Sequence, residues 1–118
     1  MTDLQTFQMV INGEWVDAEG SKTFETFNPY TAKPWALIPH GGAADVDAAV
    51  EAAYQAGRPG TEWRSMTPTA RGHVLRKFAD ALMEASDDLA EIEVRDNGKL
   101  IAEMSVQCKY LTQWYHYF

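Results

Sequence analysis

The sequence predicts an α+β chain, in which a region of short antiparallel strands and a hairpin is followed by about four helices. Three observations carry that expectation. Turn dipeptides divide the first forty residues into short apolar runs, and from residue 41 onward apolar side chains recur at helical spacing. A hydrophobic fraction of 46% with 23% charged residues is that of a globular protein, and 118 residues suffice for one modest core. The expected division is a strand and hairpin region over 1–40 and a helical region over 41–118.

In "MVINGEWV", Asn12-Gly13 separates two apolar runs. Both central positions of a two-residue hairpin turn need positive φ, and Asn-Gly meets that demand at the lowest cost. A third strand is expected at "KTFETF", closed by Asn28-Pro29, and a fourth at "WALIP", ended by Pro39.

The first helix is expected within "GGAADVDAAVEAAYQAG", where Val46, Ala49, Val50 and Ala53 fall at i, i+3, i+4 and i+7. Asp45 and Asp47 sit in its first turn, where the helix dipole favours anions. Gly42 serves as N-cap and Gly57 as stop. The alanine-rich face implies close packing on something flat. "RPGTEWRSM" reads as a loop. Thr67 then caps a helix with Pro68 at its first position, and Val74, Leu75, Phe78, Leu82 and Ala85 form its stripe. Ser86 is placed to cap the next helix, with Leu89 and Ile92 facing inward and Asn97-Gly98 ending it.

The last helix runs from about Ile101 to the end of the sequence. Met104, Cys108, Leu111, Tyr115 and Phe118 form one stripe, and Tyr110, Trp114 and Tyr117 a second. Two stripes make the helix apolar around most of its circumference, the pattern of a buried helix. Four such rings left in water would forgo about 8–12 kcal/mol of burial at roughly 2–3 kcal/mol each. That is comparable to the whole stability of a small domain. The chain is therefore expected to lack a packing partner that belongs against this helix.

Charge and composition exclude several functions. With 17 acidic and 10 basic residues the net charge is −7, and no basic face is clustered to bind nucleic acid. No stretch approaches the roughly 18 apolar residues of a membrane span. The N-terminus carries no signal-peptide pattern. Cys108 is the single cysteine, so no internal disulfide forms and a reducing, cytoplasmic setting is expected. Its place on the apolar stripe makes it a packed thiol rather than an activated nucleophile. His40, His73 and His116 show no ligand spacing, and neither G-x-G-x-x-G nor a P-loop occurs. In "RDNGK", Asn97-Gly98 supplies a left-handed turn, while Asp96 places a carboxylate near a helix C-terminus, where it gains from a neighbouring cation.

The ordered series "INGEWV", "TFNPYT", "ADVDAAVEAA", Trp63 with "RSMTPTARGHVLRKFADAL", "EVRDNGK" and "QWYHYF" resembles the amino-terminal part of the NAD(P)-dependent aldehyde dehydrogenase superfamily. The resemblance extends from about Met9 to Phe118. It implies that the strands begin an oligomerisation element and that the helices lie on a cofactor-binding domain of an α/β fold. A full member is several times longer. Its glycine-rich cofactor loops, general-base glutamate and catalytic cysteine all come later in the chain, so no catalytic and no cofactor-binding residue is carried over here. Gln107-Cys108 lacks the sequence context of the family's nucleophile. Two sites do carry over. Val106, Tyr110 and Trp114 match positions lining the substrate tunnel, and Thr26, Phe27 and Asp96 match ligands of a structural monovalent cation.

The resemblance implies an amino-terminal scaffold segment, inactive alone, of an enzyme that oxidises an aldehyde to a carboxylic acid with NAD or NADP. Its partners would be the remainder of that chain, or another copy through the last helix, in a homo-oligomer. The alternative is a stand-alone, non-enzymatic module that self-associates or binds a full-length enzyme through its aromatic last helix.

Overall fold

The structure, a computed structural model, describes residues 4–118. Five strands come first: β1 (Gln5–Thr6), β2 (Met9–Ile11), β3 (Glu14–Val16), β4 (Thr23–Asn28) and β5 (Lys33–Pro39). Five helices follow: α1 (Ala43–Ala56), α2 (Glu62–Ser65), α3 (Pro68–Glu84), α4 (Ser86–Asn97) and α5 (Ile101–Tyr117). They form two compact units. One comprises the chain up to Phe27 together with Ala32–Ser65, and the other comprises Asn28–Thr31 with Met66–Phe118.

In the first unit the predicted hairpin forms. β2 pairs antiparallel with β3 in the register Met9↔Val16, Val10↔Trp15, Ile11↔Glu14. Asn12 and Gly13 take φ of 54° and 80°, the left-handed pair that a two-residue turn requires. The remaining strands form a sheet in the order β1-β5-β4. β5 is central and half-buried along most of its length, as its continuous apolar run requires. β1 has no apolar pattern of its own and adds a parallel pair, Gln5↔Ala36 and Thr6↔Leu37, to the expected antiparallel set. Ala36 is buried, and Phe7 meets Trp35 edge to face with centroids 5.9 Å apart.

α1 begins at Gly42, but the cap is not made by that residue's side chain. The Asp45 carboxylate reaches back to accept from Gly42 N–H at 2.8 Å, and also from Glu19 N–H at 3.1 and 3.2 Å. One side chain thus ties a short 3-10 turn at Glu19–Ser21 to the helix start. Gly57 ends α1 with right-handed φ −88°, so its lack of a Cβ is not used there; the left-handed residue of this loop is Gly60, at φ 90°. The stretch read as a loop contains the single helical turn α2. Thr61 makes it: its hydroxyl donates to a carbonyl of the preceding turn, at 2.8 Å from both Ala56 O and Arg58 O, and accepts from Arg64 N–H at 3.4 Å. Of the predicted stripe of α1, Val46 and Val50 are exposed, while Ala49 and Ala53 border a groove with the hairpin residues Val10 and Ile11.

In the second unit α5 packs against both α3 and α4. The α3 cap is as predicted, with Thr67 Oγ1 accepting from Ala70 N–H at 3.1 Å. The buried line of α3 passes through Leu75, Ala79 and Leu82, whereas Val74 and Phe78 stay largely exposed. α4 buries Ser86 and Ala90 with Leu89 and Val94 beside them, and Ile92 points outward, contrary to expectation. Ser86 is not a cap; Ala85 holds that position without a side-chain bond. Most of the buried side chains of α3 and α4 are small, which lets the helices pack closely. Gly98 closes α4 at φ 75°, and a Cβ there would meet Pro29 Cγ at 2.8 Å. Left-handed backbone and crowding together require glycine.

Candidate functional site

α5 carries most of the chemistry in the second unit, and its faces divide sharply. Met104, Cys108 and Thr112 are buried in one i+4 row, with Tyr115 half-buried one turn on. Leu111 and Phe118, expected on this face, are exposed. A straight helix in contact with two neighbours presents one narrow seam, and Thr112 rather than Leu111 falls on it. Its hydroxyl donates to Lys109 O at 2.8 Å, which satisfies the polar group inside its own helix.

Cys108 is 6% exposed and lies in a cluster with Ala90 and Met104. Its neighbour Lys109 turns to the surface and pairs with Asp87 at 3.0 Å. The thiol packs against apolar groups, and the adjacent ammonium is engaged elsewhere.

The opposite face of α5 is open. Val106, Tyr110 and Trp114 follow one another at four-residue steps and are 67%, 59% and 53% exposed. Tyr110 and Trp114 meet edge to face, with centroids 6.2 Å apart at 89°. With Gln113, His116 and Tyr117, the two rings border a groove of about 400 Å³. The structure therefore brings the three predicted tunnel residues onto a single accessible stripe. This surface is aromatic and aliphatic, suited to an apolar group or another protein surface.

Thr26 and Phe27 lie near the end of β4 in the first unit, and Asp96 lies in the last turn of α4 in the second. Among the described residues no group of three or more His, Cys, Asp or Glu is placed to hold a metal. A site built largely from backbone carbonyls needs no such group. Sequence reasoning missed a second concavity, about 570 Å³, bordered by Asn28, Tyr30, Val94, Arg95 and Lys99. It arises where the Asn28 side chain folds the turn, its Oδ1 accepting from Tyr30 N–H at 2.9 Å. The Asn28-Pro29 dipeptide signalled the turn but not what lies against it. Among the described residues no helix is long and apolar enough to cross a membrane.

Residues 15–118 match the profile of the aldehyde dehydrogenase family. The (Z)-2-((N-methylformamido)methylene)-5-hydroxybutyrolactone dehydrogenase of Acinetobacter baylyi is 37% identical over 115 residues, covering 98% of this chain and 23% of that protein. An aldehyde dehydrogenase of Bacillus cereus, solved in complex with NAD+, superposes with a TM-score of 0.90 at 38% identity. That match covers 96% of this chain and 23% of the other. An NAD-dependent aldehyde dehydrogenase of Sinorhizobium meliloti gives 0.88 at 26% identity, over 98% and 23% of the two chains. This chain thus spans less than a quarter of the length of each of these relatives. The ordered motifs, the hairpin with its sheet, the helices that follow and these matches lead to one conclusion: the chain belongs to the aldehyde dehydrogenase family.

Proposed function

We propose that the chain acts as the amino-terminal scaffold segment of an NAD(P)-dependent aldehyde dehydrogenase, which oxidises an aldehyde to a carboxylic acid. The observation that carries this reading is the pattern of coverage: relatives match nearly all of this chain, while the chain spans 23% of them. The open aromatic face of α5 supports it, because a surface of that kind is normally covered by another protein surface.

In this reading the helical region 41–118 packs on the cofactor-binding domain. Val106, Tyr110 and Trp114 form part of the wall past which the substrate travels. The nucleophile, general base and cofactor loops belong to the remainder of the enzyme, since the sequence contains neither G-x-G-x-x-G nor a P-loop. NAD(P), when bound, accepts the hydride that leaves the aldehyde carbon. A cytoplasmic setting and a homo-oligomeric enzyme complete the proposal, and the stand-alone module is not favoured.

The test is the intact mass of the protein in its source. A mass several times that of 118 residues is expected, and one equal to 118 residues would overturn the reading. In the complete enzyme, Trp114→Ala should shift KM for aldehydes several-fold and leave KM for NAD(P) little changed. Equal effects on both would remove Trp114 from the wall.

A further inference from the structure

The sequence contains Asn-Gly twice, and the structure treats the two copies differently. Asn12 and Gly13 form the exposed tip of the β2–β3 hairpin. Among the described residues, neither the Asn12 carboxamide nor the Gly13 N–H makes a hydrogen bond, and a Cβ on Gly13 would meet nothing within 4 Å. Asn97 and Gly98 end α4. The Asn97 carboxamide donates to Glu93 Oε2 and accepts from Lys99 N–H at 2.9 Å. Gly98 N–H is bonded to Val94 O at 2.9 Å, and Pro29 crowds its Cα.

We infer that Asn12-Gly13 is a site of spontaneous deamidation and isoaspartate formation, and that Asn97-Gly98 is protected from the same reaction. The Gly13 amide nitrogen loses its proton to hydroxide and attacks Asn12 Cγ. The bond from Cγ to the carboxamide nitrogen breaks, and that nitrogen takes a proton from the water just formed and leaves as ammonia, regenerating hydroxide and closing a five-membered succinimide. Water then adds to either ring carbonyl and opens the ring to aspartate or isoaspartate. Nothing is oxidised or reduced.

Attack needs an unhindered residue after the asparagine, a free amide and a backbone able to rotate. The first two are present at the tip. The third follows from strands of three residues each, whose local opening is undemanding. At Asn97 both carboxamide polar atoms and the Gly98 N–H are already hydrogen-bonded, and the helix end must unwind first.

The product matters for the fold. Isoaspartate routes the main chain through the side-chain carboxyl, lengthening a two-residue loop by one carbon and adding a negative charge. The pairing Val10↔Trp15 depends on that loop length.

The chain, folded and in a parallel urea-unfolded sample, should be held at mildly alkaline pH and mapped by peptide mass spectrometry, with isoaspartate methyltransferase as probe. Isoaspartate should accumulate at position 12 at a rate within a few-fold of the unfolded chain, and at position 97 at least tenfold more slowly than when unfolded. Gly13→Ala should slow the reaction at 12 several-fold. Because alanine at φ 80° strains the turn, Glu93→Ala provides a second arm that leaves the hairpin untouched and should speed the reaction at 97. Equal protection of the two sites in the folded chain, or no effect of Glu93→Ala, would overturn the inference.

Discussion

Asp45 is the residue that joins the Glu19–Ser21 turn to the start of α1. Its carboxylate accepts from the N–H groups of Gly42 and Glu19, and these bonds hold its pKa below the ordinary value of 3.8. A depressed folded pKa contributes stability that is present above the unfolded value and is lost as pH falls through the folded one. Acid titration into that range should therefore loosen the Glu19–Ser21 turn and the start of α1 before the α3–α5 helices respond. Amide exchange read residue by residue checks this, and Asp45→Ala should remove the pH step. Cys108 shows the opposite kind of residue, one whose worth is packing. Cys108→Ala should cost about 1–2 kcal/mol by leaving a small cavity beside Met104. In the complete enzyme of our proposal the same change should leave turnover within a few-fold, as kinetics would show; a thousandfold loss would instead make it a nucleophile.

At the scale of the element, α5 decides how this chain behaves in solution. Its inner row is satisfied by α3 and α4, while Tyr110, Trp114 and Tyr117 stay exposed on the outer one. Isolated chains should cover those rings by self-association. Replacing Trp114 and Tyr117 with Glu should give a monomer at tens of micromolar, with helix content nearly unchanged because glutamate is a good helix former. Sedimentation velocity and circular dichroism read the two quantities. A clean monomer from the unmodified chain would show that the rings need no cover. The hairpin is the contrasting element: turn chemistry sets its register, and the half-burial of Met9, Ile11 and Val16 on one face agrees with it.

The whole molecule divides into two units with very different interiors. Among the described residues, those buried in the first are the small Ala18 and Ala36, whereas the second closes three helices over Met104, Cys108 and Thr112. The one Gly-Gly turn between a described strand and helix, Gly41-Gly42 between β5 and α1, is not part of a G-x-G-x-x-G motif, and its Gly42 N–H is already bonded to the Asp45 carboxylate. Calorimetric titration of the isolated chain with NAD or NADP should accordingly show no binding in the micromolar range. A micromolar dissociation constant would mean that cofactor contacts lie within these residues after all.

Local chemistry was legible in the amino-acid sequence wherever one or two residues decide a conformation. Asn12-Gly13 dictated the hairpin, Thr67-Pro68 the start of α3, and Asn97-Gly98 the end of α4, because φ preferences and capping bonds act within a few residues. The ordered motifs also identified the family, whereas the shared open face of Val106, Tyr110 and Trp114 is seen in the folded helix. Which face each helix buries was settled only by tertiary contact. Leu111, Val74 and Ile92 looked as suited to the core as Thr112, Ala79 and Ala90, since periodicity measures spacing and not the position of a neighbour. The seam between the helices takes whichever side chains fall on it, Met104 as well as Ala90, and even a threonine able to bond its own backbone. Likewise Asp45 read only as a favourable charge in a first turn, and the folded chain brought Glu19, twenty-six residues earlier, to its carboxylate.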